Sequence, residues 1–142
     1  MKRGVQAVGK AIFFVAAAPL IAVTALRMAR LERQLPFDAL VARLRARRAA
    51  PLLPFLLRPT WLAGSVERLL PWLPPRDMGV CLRRALIVLE LWSRCGLEPR
   101  LHLGLSPASG PGPAHAWITA DIPEGGQLRV SGPLGNLETF VF

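Results

Sequence analysis

Tyrosine is absent from this chain of 142 residues, and histidine and cysteine occur only twice each. Cys81 and Cys95 cannot make a disulfide framework, and no paired Cys/His spacing of a zinc site is present. A reducing, cytoplasmic setting is the simplest reading, and the sequence implies no metal and no cofactor. Acidic residues are scarce too. Nine Asp and Glu face eighteen Lys and Arg, a formal +9 that excludes an acidic chain. Charged residues make up 19% and hydrophobic residues 52%, which is too apolar for disorder and enough for a core. The length suits about one domain. Nothing in the sequence accounts for the missing tyrosine or for the 14 prolines.

What is present is unevenly placed. Residues 1–50 hold ten Lys/Arg against two Asp/Glu, or +8, and the remaining 92 hold eight against seven, or +1. Between Lys10 and Arg27 runs the uncharged stretch AIFFVAAAPLIAVTAL, about 24 Å of helix against a hydrocarbon core of about 30 Å. Three readings compete: a buried or partner-packed helix, a membrane-associated helix touching lipid through residues 11–26, and a secretory signal cleaved after AVTAL. The next stretch, RMARLERQLPFDALVARLRARRAA, reads as a basic amphipathic helix pair broken at Pro36. Its arginines suit a solvated helix face or a docking surface.

The organisation that follows is a basic helical region (1–50), a Pro-rich connector with one short helix (51–79) and an α+β core (80–142). In the connector the spacing predicts a helix from Trp61 to Leu70 with Thr60 as N-cap and an apolar face of Trp61, Leu62, Val66, Leu69 and Leu70. From Val80 to Cys95, Leu82, Ala85, Leu86, Leu89 and Trp92 recur on one helical face, with Arg83, Arg84, Glu90 and Arg94 away from it. Asp77 is placed to cap this helix and Gly96 to end it. Cys81 falls in its first turn, where free N–H groups, the positive end of the macrodipole and Arg83 and Arg84 favour a thiolate. Cys95 lies at the opposite end and is the weaker candidate. A lone cysteine in an apolar helix is otherwise a small core residue.

Three strands follow. EPRLHLGL alternates Leu101, Leu103 and Leu105 against Arg100, His102 and Gly104; HAWITAD alternates His115, Trp117 and Thr119 against Ala116, Ile118 and Ala120; QLRVS closes the set. A helix opened by a cysteine, then a strand opened by a histidine 34 residues later, is an order that a Cys-His hydrolase can use. His102 is the competing base and is expected to face solvent. Asp121 shares the face of His115 but lies about 20 Å along the strand, out of reach. A turn centred near Pro123 or Glu124 brings residues 131–133 opposite His115, where Ser131 alone offers a side-chain oxygen to orient the ring. Asn136 is the other candidate.

Cys81-Leu-Arg-Arg-Ala85-Leu, the helix end Arg94-Cys-Gly96-Leu, the strand Leu101-His-Leu-Gly104 and the block Ala114-His115-Ala116-Trp117 together resemble the transglutaminase-like leader peptidases of lasso-peptide biosynthesis. More narrowly, the chain looks like the stand-alone C-terminal half of their split B protein, and ARLERQLPFDALVARL extends the likeness upstream. The resemblance implies a transglutaminase-like, papain-like cysteine protease core, with a helix packed on a small antiparallel sheet and an N-terminal helical region. It implies cleavage of a ribosomally made precursor between leader and core by Cys81 as nucleophile and His115 as general base and acid. It implies three partners: the precursor leader, a small leader-recognition protein and an asparagine-synthetase-like lactam cyclase. The family's third residue, an Asp, aligns with Gly132, so this chain departs from the pattern there. A noncatalytic binding or scaffold module of the same fold is the alternative. No Gly-rich or aromatic-basic strand motif supports nucleic-acid binding.

Overall fold

The computed structural model describes residues 2–75, 77–105, 115–130 and 138–141. Helix α1 spans Lys2–Gln34 without interruption. Pro19 lies inside it but on the exposed side, where the carbonyl it leaves unbonded can reach solvent. Pro36 breaks the helix pair as expected, because its φ of −63° and ψ of 159° take the chain out of the helical region just before α2, Phe37–Arg45. Leu40, Val41 and Leu44 are the buried face of α2.

Helix α3 runs Pro59–Leu69 with Arg58 at its N-cap. Thr60 is therefore inside the helix and not its cap, because the fixed φ of Pro59 seeds the first turn one residue earlier. Leu62, Ser65 and Val66 are its buried residues, and Leu70 follows in a short 3-10 turn.

Helix α4, Val80–Arg94, is the centre of the molecule. Its N-cap is Gly79, with no side-chain capping bond, so Asp77 does not cap it. Its C-terminus is a Schellman turn: Gly96, at φ +85°, donates to Ser93 O, and Leu97 donates to Trp92 O. Instead of one apolar face, α4 buries Arg83 and every residue from Ala85 to Ser93. The reason is that α1, α2 and α3 surround one side of it while the sheet covers the other. The expected outward placement of Arg83 and Glu90 is thus overturned. Arg83 donates through Nη1 to the carbonyls of Leu73 (2.6 Å) and Pro75 (3.2 Å). Glu90, 1% exposed, pairs with Arg27 of α1 and with Arg47 at 3.2 Å.

The strands β1 (Arg100–Leu105), β2 (His115–Asp121), β3 (Gln127–Val130) and β4 (Glu138–Val141) form one antiparallel sheet in the order β3-β2-β1-β4. Pairings include Leu101 with Ile118, Gly104 with His115, and Ile118 with Val130. The β2–β3 turn carries Gly125 and Gly126 at positive φ. Leu101, Ala116, Ile118 and Ala120 are fully buried in one core continuous with α4 and the N-terminal helices. The basic stretch after α2 is largely committed to this fold. Arg45 donates to Pro99 O, Arg48 pairs with Glu98 and reaches Gly96 O, and Arg94 donates to Ala50 O.

Candidate active site

Cys81 is the second residue of α4, half-buried at the edge of the core. Of the two neighbouring arginines, only Arg84 accompanies the sulfur. Its Nη2 lies 4.0 Å from Sγ, while its Nη1 is held by both carboxylate oxygens of Glu67 on α3 at 2.7 and 2.8 Å. Arg83 has turned inward to carbonyl oxygens. Cys95 sits just past the other end of the helix, and burial pushes its thiol up to about 11 even with Arg94 beside it. That thiol is protonated at neutral pH, and nothing in its surroundings resembles a nucleophile's.

His115 opens β2. The Schellman turn reverses the chain after α4, so β1 runs against the helix and β2, antiparallel to β1, runs with it. The far end of β2 is consistent with this direction, because Asp121 and Pro123 share a surface pocket with Gly96, Leu97 and Glu98, just beyond the helix C-terminus. The two elements are also of equal length, about 20 Å each. His115 therefore lies toward the end of α4 that carries Cys81.

Faces qualify that proximity. Alternation along β2 turns Ala116, Ile118 and Ala120 toward α4 and puts His115, Trp117 and Thr119 on the opposite face. There the Trp117 ring stacks on two imidazoles, with centroids 5.2 Å from His102 and 5.7 Å from His115. His102 is half-buried and bonded through Nε2 to the Thr119 hydroxyl at 2.8 Å, and is not the solvent-facing residue expected of its position. Burial, then the charges of Arg100 and Arg129, hold its pKa below the ordinary value. By this chain direction Cys81 and His115 fall toward the same end of the α4–β2 pair, with their side chains starting on different sides of the sheet. Asp121, at the far end of β2, is paired with Arg100. Ser131 and Asn136 lie outside the described residues.

One feature escaped the sequence reading. Glu90, the single acid in an otherwise apolar run, could have been read as a carboxylate awaiting distant cations.

A family profile described as the Transglutaminase-like superfamily matches residues 20–129, from the middle of α1 to β3. No curated protein and no solved structure matched the chain.

Proposed function

This chain belongs to the transglutaminase-like superfamily, which includes cysteine peptidases, and from that premise we propose that it removes the leader from a ribosomally made lasso-peptide precursor by cysteine catalysis. What supports the reading is the chain direction, by which the first turn of α4, with Cys81, and the start of β2, with His115, fall toward the same end of the pair. The Cys81 thiolate attacks the scissile carbonyl, and N–H groups of the first turn of α4 meet the oxyanion. The His115 imidazole, turned from its place beside Trp117, takes the thiol proton, gives it to the leaving amine and then activates the water that releases the acyl group. Precursor leader, small recognition protein and lactam cyclase are the partners of this reading. Cysteine is more acidic than serine and depends less on an oriented base, so the glycine at position 132 is compatible with turnover.

Mass spectrometry of a precursor incubated with this chain and its recognition partner tests the reading. Cys81→Ala and His115→Ala should each abolish cleavage, whereas Cys95→Ala and Asp121→Ala should keep most of it. Unchanged cleavage by Cys81→Ala would end the proposal. A second reading, a noncatalytic scaffold of the same fold, is favoured by one observation, the placement of His115 on the face turned away from α4. It predicts that the chain binds the precursor and leaves it whole.

A further inference from the structure

The long first helix has two apolar sides, and the fold uses only one. Phe13, Ala17, Ile21, Ala25 and Met28 are buried against the rest of the protein. On the other side Val5, Val8, Ile12, Val15, Pro19, Val23 and Leu26 stand exposed, Val5 at 75%, Ile12 at 66% and Val15 at 72%. Their spacing of three and four residues keeps them within about 80° of the helix circumference, a straight stripe about 32 Å long. Between Gly4 and Leu26 the polar side chains Gln6, Lys10 and Thr24 all fall on the opposite half of the helix. Lys10 there lines a cleft with Phe13, Trp61 and Arg68.

Charge says what covers this stripe. The first 31 residues contain Lys2, Arg3, Lys10, Arg27 and Arg30 and no acid. Lys2 and Arg3 are exposed at one end of the stripe, and Arg30 and Arg33 continue it in phase at the other, also exposed. We propose that this face of α1 lies flat in the surface of an anionic phospholipid bilayer, its aliphatic side chains among the upper acyl chains and its terminal cations among the headgroups. The buried side keeps the helix from crossing the bilayer, since spanning would strip Ala17, Ile21, Ala25 and Met28, each 0% exposed, from the core. A protein groove fits less well. The stripe holds no aromatic anchor and presents a smooth aliphatic ridge, whereas protein interfaces concentrate their energy in Trp, Tyr and Arg seated in pockets. A second copy fits worse, because pairing the stripes in parallel or antiparallel sets cations against cations.

Flotation of the full chain with vesicles tests this, using phosphatidylcholine alone and an equal mixture with phosphatidylserine. The chain should float with the mixed vesicles, bind phosphatidylcholine about tenfold or more weakly, and be released by high salt. V8E/V15E should lower binding by about tenfold or more, and R30E/R33E should lower binding to mixed vesicles alone. Both pairs are exposed, so the melting temperature should stay at the wild-type value, and C81A should bind like wild type. Failure to float, binding unchanged in V8E/V15E, or salt-insensitive binding equal on both vesicles, which marks a spanning helix, would each overturn the proposal. So would a chain that ignores vesicles and dimerises with concentration unless Val8 and Val15 are replaced.

Discussion

The two cysteines differ in environment more than their equal half-burial suggests. Cys95 is held protonated by desolvation, at about 11, so at pH 8 only about one molecule in a thousand carries its thiolate. Cys81 has a guanidinium nitrogen 4.0 Å away and lies in the first turn of a helix start that no side chain caps. Iodoacetamide at pH 8 should therefore modify Cys81 and leave Cys95 intact until the chain is unfolded, as read by peptide mass mapping. Equal rates would remove the distinction. His102 supplies a second test. Its pKa is lowered in the fold, so its contribution to stability is present above the ordinary value near 6.5 and is lost as pH falls through the lowered one. Urea midpoints should fall on acidification below about pH 6.5 in wild type and less so in His102→Gln. The difference should be small, because the ring is still partly hydrated.

At the scale of elements, α1 carries the most unusual division of labour. Its sequence is apolar nearly all round from Ala11 to Leu26, so periodicity offers no contrast from which to pick the core face. The structure separates Ile21, 0% exposed, from Val23, 61% exposed, two positions along the same helix. Ile21→Ala should cost about 2–5 kcal/mol in chemical denaturation, and Val23→Ala should stay within about 0.5 kcal/mol. Comparable losses would mean that the helix is enclosed on both sides. The sheet was more readable, except for its fourth strand β4, which the sequence reading of three strands did not include. Its strand parities and the turn near Glu124 follow from alternation and the Gly pair, and the observed pairing of Ile118 with Val130 agrees with them.

For the molecule as a whole, Glu90 joins what the chain order separates. It sits on the central helix and receives Arg27 from α1 and Arg47 from the turn after α2. Replacing it with leucine leaves two guanidinium groups facing an apolar wall. We expect Glu90→Leu to lose about 3 kcal/mol in urea denaturation, at the low end for breaking a buried pair because both arginines reach solvent. A neutral result would mean that they find other acceptors. The same interlocking explains why the basic N-terminal half is a poor candidate for a free docking surface at Arg45, Arg47 and Arg48, since Arg45 and Arg48 hold the turn that leads from α4 into β1 and Arg47 is paired with Glu90.

Local chemistry in the chain alone decided the helix breaks at Pro36 and Gly96, the order of helix then antiparallel strands, and the position of Cys81 in a first turn, because each depends on neighbours within a few residues. Only the tertiary structure decided that α4 is enclosed on every side, which polar groups go inside with it, and which flank of α1 stays outside. Those outcomes depend on how many layers pack around an element and on cations and carboxylates tens of residues apart, and no periodicity records either.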